Sequence, residues 1–551
     1  MTPFLLPFIT GFGQTEHPHL VPPRPEILAK EEAAWQLFED SREDTLPLEK
    51  RIALLDRCEA ALGGPKPVTL IYRFFYYAMA KRFDEAFKAS EFARRHGDIS
   101  GGFLYDEQYK EIRKDPRWAA EVALFERLQA KNSETLNAST TGLWNAYAAN
   151  RLRKLTFNGT GPEIYKALSG YSDYQKPRAT GRWFVDTLGF ASTTPNAGTV
   201  QIEYFVRIPK GYRPDRPTPV LMWLHGAWFY NGAPRTSSGD ANHFDNPLLE
   251  ESDRRGYIEI MPLPYRSVAM TAPGNSRLAP EILAQVKRVL NVDDDRVYIA
   301  GHSNGGSGGF AAAAECPTAF ASFYPVNGWP LPDLHYVNMA NRPIEGLTGE
   351  KEDLFLPAGV RELQGIAASA GADWTINWVP GGKHDYSSFM RPYAAPIFDH
   401  MAKVKRTALS AEKVWECDPG GPNRVDWLQV LAVDPARPRA DWHTPVTARH
   451  SKRGDAGEIL TDAFVQNEKS GCVRATYRDN VFDLKTSRVG KVRLWIHPEM
   501  VDMAKPVIVM ANGREVFRAP VTYDQVGMMN GFIDSFDRRL VWANKVDVEI
   551  P

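Results

Sequence analysis

The sequence predicts an α/β fold in its middle part, a doubly wound and mostly parallel β-sheet that is covered by helices on both faces. Between about residues 195 and 405, short apolar segments alternate with longer amphipathic ones. Short continuous apolar segments are typical of strands buried on both faces, and their alternation with helices indicates parallel pairing. A helix-rich region precedes this part, and a region with β-hairpin signals follows it.

A chain of 551 residues is long enough for about three or four domains. We divide it at changes in local pattern. The predicted parts are an N-terminal α-helical domain at 1–150, a linker at 151–194, the α/β domain at 195–408 and a mostly β domain at 409–551.

The first part is rich in Glu, Lys, Arg, Ala and Leu, which favour helices. Helical spacing of apolar residues predicts helices at Glu31–Phe38, Leu48–Leu62, Leu70–Arg82 and Phe83–His96. The last two resemble a tetratricopeptide helix–turn–helix, although no repeat of about 34 residues recurs. The helices are either a peptide-binding or dimerisation arm or, as we favour, a prefix that packs on its neighbour.

In the α/β part, strands are predicted at 200–208, 220–224, 257–261, 297–300, 322–326, 344–348 and 375–379. In the last part, Val425–Val433 and Val492–Ile496 are predicted strands, and Asn512-Gly513 predicts a hairpin because both positions of such a turn need a positive φ. A helix is expected at Asp524–Phe536. We expect a small β-sandwich, which either binds a polymer or carbohydrate or serves as a structural lid or dimer contact.

Composition excludes several classes of function. The 66 basic and 67 acidic residues give a net charge of −1, which argues against a nucleic-acid binder. No stretch of about 18 apolar residues could span a bilayer. The four cysteines form no CxxC motif, although Cys417 and Cys472 could pair. The apolar segment Pro3–Phe12 has the length of a signal-peptide core but no preceding basic residue, so a periplasmic or secreted location is only slightly favoured over a cytoplasmic one.

The main chemical signal is a G-x-S-x-G pattern at Gly301–Gly305. A predicted strand ends directly before it, and the small residues that follow can begin a helix. A sharp strand–turn–helix connection exposes the hydroxyl of the central serine, so Ser303 is the predicted nucleophile. A second match is centred on Ser307, but that serine would lie inside the helix.

A serine nucleophile needs a general base and a carboxylate that orients the base. In folds with this turn, the three catalytic residues occur along the chain in the order serine, acid, histidine. Among 12 histidines, His384 alone follows a predicted strand in a Gly-rich loop downstream of an acidic segment. Three carboxylates in that segment, Glu350, Glu352 and Asp353, could reach its imidazole.

The oxyanion of an acyl intermediate needs two N–H donors. The N–H of Asn304 is one candidate, and the N–H of Ala227 or Trp228, after the strand 220–224, is the other. We expect substrate contacts from residues that surround these donors and follow later strands: Trp228, Phe229, Tyr230, His302 and Trp329. His225, His243 and His302 lack metal-ligand spacing, and no G-K-[ST] phosphate loop follows the glycines, so neither a metal nor another cofactor is expected.

These motifs together resemble the α/β-hydrolases. Within that superfamily, they are similar to the polyhydroxybutyrate depolymerase, feruloyl esterase and dienelactone hydrolase branch. The similarity lies in the turn Gly301–Gly306, which we call the elbow, in the His225-Gly226 loop, in the Asp353 loop and in Gly381-Gly382-Lys383-His384. The resemblance implies ester hydrolysis through an acyl-enzyme, without a cofactor, by Ser303, His384 and Asp353. It favours Asp353 because the following Leu-Phe-Leu-Pro resembles the segment that anchors the acid in related enzymes.

Three functions therefore remain open. The leading hypothesis is a serine esterase acting on a small-molecule or polymeric ester, such as an aryl ester or a polyester. A peptidase or amidase related to prolyl oligopeptidases could use the same residues, although no propeller repeat is present. A scaffold protein with a silent hydrolase core is the third, and a homo-oligomer could form through the helical or β part.

Overall fold

The structure is a computed structural model that describes residues 18–95, 110–127, 158–177, 180–181, 183–194, 196–226, 246–263, 270–384, 389–448, 451–454, 457–460 and 464–551. The apolar segment Pro3–Phe12 lies outside these residues. Among the described residues, no helix is both long and apolar enough to cross a membrane.

The central feature is an eight-stranded sheet with the order β1-β2-β4-β3-β5-β6-β7-β8. Its strands are β1 Trp183–Ala191, β2 Thr199–Arg207, β3 Thr218–Leu224, β4 Ile258–Leu263, β5 Val292–His302, β6 Ser322–Val326, β7 Ile344–Gly349 and β8 Trp374–Val379. The strands from β4 to β8 in this order run parallel, and β1 and β2 add antiparallel pairs at one edge. The doubly wound, mostly parallel sheet is confirmed. The predicted linker 151–194 needs correction, because β1 belongs to the sheet.

The helices of this part are, in chain order after the prefix, α6 Pro247–Arg255, α7 Leu278–Lys287, α8 Asn304–Glu315, α9 Pro357–Ser369 and α10 Met390–Met401. Helices cover both faces of the sheet and divide its core into two layers. One layer contains α7, α8 and α9, and the other contains α6 and α10. Nearly every side chain of β3 and β4 is buried, as expected for strands with helices on both faces.

The prefix consists of α1 Pro25–Ser41, α2 Leu48–Ala61, α3 Pro67–Met79 and α4 Phe83–Arg95, followed by a helical stretch at 118–127. Consecutive helices pack through aromatic side chains such as Phe38, Phe74 and Tyr76. A further helix, α5 Gly161–Ser169, packs on the C-terminal part through Ile164 and Leu168. The likeness to a tetratricopeptide repeat stays a prediction.

The C-terminal part contains two main sheets that enclose one apolar core, which agrees with the expected sandwich. The strands are β9 Glu412–Cys417, β10 Arg424–Val425, β11 Leu428–Val433, β12 Thr447–Ala448, β13 Ser451–Gly454, β14 Gly457–Leu460, β15 Phe464–Val465, β16 Gly471–Arg478, β17 Val481–Ser487, β18 Val489–Ile496, β19 Val507–Ala511, β20 Arg514–Ala519 and β21 Asn544–Glu549, and the helix is α11 Gln525–Ser535. Asn512 and Gly513 have φ angles of 49° and 81°, so the predicted hairpin is confirmed. Cys417 and Cys472 are free, buried thiols.

Buried ion pairs join the α/β part to the C-terminal part. Asp426 is completely buried between Arg342 (Nη2–Oδ1 2.6 Å) and Lys413 (Nζ–Oδ2 2.7 Å). Burial opposes ionisation of Asp426, but the two cations outweigh it and lower the pKa of the carboxyl. A second buried group holds Asp537 between Arg406 and Lys287. Removing one partner from such a group leaves an unpaired charge in the protein interior.

We therefore expect Asp426→Asn to lower the free energy of unfolding by roughly 3–5 kcal/mol, because Arg342 and Lys413 would lose their counter-ion. Asparagine tolerates the positive φ of 48° at this position. The exposed pair between Arg493 and Asp547 provides the control, and Asp547→Asn should cost less than about 1 kcal/mol. Urea denaturation measures both. Equal losses in the two variants would contradict the argument.

Candidate active site

The predicted nucleophile lies on a strained turn between β5 and α8. Ser303 has φ 56° and ψ −120°, which is unusual for a residue with a side chain. Its N–H donates to the Val326 carbonyl at the end of β6 (3.0 Å), which fixes the turn against the neighbouring strand. The residue is nearly buried, with 5% of its surface exposed.

Two glycines permit this turn. A Cβ on Gly305 would overlap the carbonyl oxygen of Leu224, at the end of β3. A Cβ on Gly301 would lie 2.5 Å from the Gly305 carbonyl oxygen and 2.8 Å from the Leu224 oxygen. Only glycine allows the backbones to approach this closely, so both outer positions of the G-x-S-x-G pattern are fixed by steric contact.

The structure brings His384 to Ser303. His384 follows β8 through a turn at 380–384, which we call the base turn. Its Nε2 lies 3.0 Å from Ser303 Oγ, although the two residues are 81 positions apart. The proton of the Ser303 hydroxyl can therefore be transferred directly to His384 Nε2.

The carboxylate beside His384 belongs to Glu352, not to the predicted Asp353. Glu352 Oε1 and Oε2 lie 2.9 and 3.0 Å from His384 Nδ1. Glu352 Oε1 also accepts hydrogen bonds from the N–H groups of Leu354 (2.8 Å) and Phe355 (3.1 Å), so the turn after β7 points this side chain inward. Asp353, the next residue along the turn, is exposed to solvent. Glu350 is exposed as well.

His302 was expected to contact substrate, but the structure places it against the base turn. Its Nε2 is 2.7 Å from the main-chain carbonyl oxygen of His384, and the two imidazole centroids are 5.0 Å apart. Burial lowers the pKa of His302 to about 4, so its ring is neutral at ordinary pH. A neutral ring that meets a carbonyl through Nε2 carries its proton on that nitrogen.

The first candidate oxyanion donor is the N–H of Asn304. Asn304 is exposed and is the first residue of α8, where N–H groups have no acceptor within the helix. Gly226, after β3, lies beside the nucleophile: a Cβ there would be 3.5 Å from Ser303 Cβ. The next residues, Ala227, Trp228, Phe229 and Tyr230, lie outside the described residues, so their predicted roles stay predictions.

Trp329 lies behind His384, with Phe355 between the two rings. It is buried, and its ring stacks on Phe355 with centroids 6.0 Å apart. Phe355 in turn meets the His384 ring edge-on at 5.6 Å. The main-chain N–H of Trp329 donates to Ser307 Oγ (2.9 Å). Ser307, the serine of the second G-x-S-x-G match, is buried and takes part in this structural hydrogen bond.

Sequence reasoning missed Asn327. The side chain is completely buried at the end of β6, and its amide nitrogen lies 2.8 Å from the Lys383 carbonyl oxygen and 3.2 Å from that of His384. The signal available was Asn-Gly directly after a buried strand, because asparagine tolerates the positive φ of 44° found here.

The helical prefix contacts the base turn from outside. Lys383 Nζ forms an ion pair with Glu39 Oε2 of α1 (2.9 Å), and a Cβ on Gly381 would overlap the Glu32 carboxylate. A crevice of about 70 Å³ lies between α1 and this turn. Helix α1 thus supports the loop that carries the candidate base.

Within the part of the chain that the structure describes, no three His, Cys, Asp or Glu side chains are grouped so that they could hold a metal ion.

Two family models match the chain. The family described as "Putative esterase" matches residues 197–328, and the dienelactone hydrolase family matches residues 268–417. The first range contains the elbow, and the second contains the elbow, Glu352 and His384. A search of curated protein sequences finds no match.

Solved structures with a similar fold include a thermostable esterase (20% identity, 40% of this chain and 63% of that chain, TM-score 0.33). Another is an S-formylglutathione hydrolase from Staphylococcus aureus (18% identity, 41% of this chain and 99% of that chain, TM-score 0.31). A third is a ferulic acid esterase (17% identity, 40% of this chain and 100% of that chain, TM-score 0.32). Together the two family matches cover residues 197–417, and this part of the chain is similar to the esterase and dienelactone hydrolase families of the α/β-hydrolases.

Proposed function

We propose that the protein hydrolyses carboxylic esters with Ser303 as nucleophile, His384 as general base and Glu352 as the orienting acid. The observation that carries the proposal is a continuous line of contacts. Ser303 Oγ lies 3.0 Å from His384 Nε2, and His384 Nδ1 lies 2.9 Å from Glu352 Oε1. This is the arrangement that activates a serine hydroxyl.

In the proposed reaction, Ser303 Oγ attacks the ester carbonyl carbon while His384 Nε2 takes the hydroxyl proton. The tetrahedral intermediate collapses, and the imidazolium gives this proton to the departing alkoxide, which leaves an acyl-serine. Water then attacks the acyl carbon with His384 as base. Collapse of the second intermediate returns the proton to Ser303 and releases the acid.

Glu352 has two tasks in this scheme. Its carboxylate accepts a hydrogen bond from the Nδ1–H of His384, which keeps the proton on Nδ1 and leaves Nε2 unprotonated and able to act as base. The side chain is completely buried, so its negative charge stabilises the imidazolium with little screening by solvent. The N–H groups of Leu354 and Phe355 compensate for the loss of water around the carboxylate.

For the oxyanion, we propose the N–H of Asn304 together with the N–H of Ala227 or Trp228. The N-terminus of α8 carries the positive end of the helix dipole, which favours negative charge at this point. Gly226, which precedes Ala227 in the chain, lies beside Ser303.

An apolar substrate, such as an aryl ester or a polyester, fits the surroundings of His384. Phe355 borders its ring, Trp329 stacks behind Phe355, and Leu354 on the same turn is 59% exposed. With a net charge of −1, the chain has no overall field to attract a charged substrate.

Replacing the nucleophile tests the proposal directly. We expect Ser303→Ala to lower kcat for a 4-nitrophenyl ester by about 10⁵-fold or more, because no acyl-enzyme can form. A fluorophosphonate should label the wild type and leave the variant unlabelled. An unlabelled but folded wild type would favour the scaffold hypothesis, and near wild-type turnover by the variant would remove Ser303 from the mechanism.

The turn after β7, which we call the acid turn, carries two neighbouring carboxylates that provide a matched pair, Glu352 and Asp353. Glu352→Gln should lower kcat by roughly 10³- to 10⁴-fold, because the amide can no longer hold the required tautomer of His384. Asp353→Asn, on the exposed side of the same turn, should stay within about twofold of wild type. Steady-state kinetics at one pH compare them. The opposite ranking would restore Asp353 as the acid.

An ester and an amide of the same acyl group distinguish an esterase from a peptidase. We expect a kcat/KM at least about 10³-fold higher for the ester, since an amine leaves far less readily than an alkoxide and the difference corresponds to roughly 4 kcal/mol in barrier. Ser303→Ala is the blank for both substrates. Faster cleavage of the amide would favour the peptidase hypothesis.

A further inference from the structure

The main-chain carbonyl of His384 receives hydrogen bonds from two side chains that play no part in the reaction proposed above. His302 Nε2 lies 2.7 Å from this oxygen, and Asn327 Nδ2 lies 3.2 Å from it. The same Asn327 amide also donates to the carbonyl of Lys383 (2.8 Å). The two side chains therefore hold the backbone carbonyls of Lys383 and His384, the last two residues of the base turn.

Asn327 links this turn to the other two turns of the site. Its Oδ1 accepts the N–H of Gly349 (2.9 Å), three residues before Glu352, and its own N–H donates to the Leu347 carbonyl (2.8 Å). The residue before it, Val326, accepts the N–H of Ser303. One buried asparagine thus lies at the junction of the nucleophile, acid and base turns.

His302 adds a second link from the nucleophile side, because it directly precedes Ser303 in the chain. Its neutral ring donates a hydrogen bond from the Nε2–H to the His384 carbonyl. The distance between Ser303 and the backbone of His384 is in this way fixed by the side chain next to the nucleophile.

A backbone anchor is needed here for a physical reason. The base turn contains Gly381 and Gly382, and residues 381–384 belong to no strand or helix. The main-chain hydrogen bond that the turn receives from the Lys351 N–H ends at the Gly382 carbonyl (2.8 Å), two residues before His384. The contact of Nδ1 with Glu352 orients the ring but allows the backbone to shift while the side-chain torsions compensate. A displacement of about 1 Å at a reacting group can cost about 10²-fold in rate.

We propose that Asn327 and His302 are positioning residues that hold the His384 backbone, so that Nε2 stays within reach of Ser303 Oγ. The inference rests on the proposed function, in which His384 is the base. Both side chains act through the backbone that carries His384, and Asn327 also holds the N–H of Gly349, three residues before Glu352.

The test compares Asn327→Gly with Asn338→Ala. Glycine accepts the positive φ of residue 327. Asn338 is a matched control, because it is equally buried and its amide also donates to two main-chain carbonyls, those of Ala314 (3.0 Å) and Glu416 (2.8 Å), away from the site. We expect Asn327→Gly to lower kcat by roughly 10- to 100-fold with KM within about twofold. Asn338→Ala should keep kcat within about twofold.

Substitutions of His302 keep the test decisive if Asn327→Gly does not fold. His302→Phe removes the donor and should lower kcat as Asn327→Gly does, whereas His302→Gln retains an N–H donor at similar reach and should recover kcat to within about threefold of wild type. If both Asn327→Gly and His302→Phe fold and keep wild-type kcat, or if they raise KM alone, the inference is overturned.

A spectroscopic measurement separates this inference from the proposed function. In proton NMR, the Nδ1–H of His384 bonded to Glu352 should give a far-downfield signal, assigned by its absence in His384→Ala. We expect Asn327→Gly and His302→Phe to broaden or shift this signal, and Asn338→Ala to leave it unchanged. If the wild type hydrolyses no ester, the proposed function fails, while an unchanged signal in Asn327→Gly and His302→Phe would refute the positioning role independently.

Discussion

The site depends on a close contact between two backbones. Gly305, in the first turn of α8, lies against the Leu224 carbonyl at the end of β3, at a distance that no Cβ permits. This contact allows β5 to turn directly into α8 and holds Ser303 at a positive φ. Because β3, β5 and β6 are parallel neighbours, the chain segments that leave their carboxyl ends all start around this turn. The sheet therefore supplies the geometry, and the glycines make it sterically possible.

The two histidines near Ser303 lie in contrasting environments. His302 is buried against a carbonyl group and has a pKa lowered to about 4, which suits a neutral donor. His384, 82 residues further on, faces a carboxylate on one side and a hydroxyl on the other. Two histidine rings 5.0 Å apart thus have different tasks, because one meets a backbone dipole and the other meets a full negative charge.

The flanking parts of the chain are attached to the catalytic part through polar contacts as well as apolar ones. Helix α1 supports the base turn through Glu39 and Lys383. On the other side of the molecule, Asn338 and Asn341 donate to carbonyls of β9, and buried cations enclose Asp426 and Asp537. Such groups stabilise only when every member is present, so they fix the arrangement of the parts more strictly than apolar contact would.

Four features could be predicted from the sequence, because each follows from local rules of burial, sterics or turn conformation: the parallel sheet, the nucleophile turn, the candidate base and the Asn512-Gly513 hairpin. The tertiary structure was needed to choose between Glu352 and Asp353, since the direction of a side chain on an irregular turn depends on which neighbouring groups donate hydrogen bonds to it. It also decided the roles of His302 and Asn327, which contact a backbone carbonyl 82 and 57 residues away. Periodicity describes a residue and its near neighbours along the chain, whereas these contacts arise from the packing of separate strand ends.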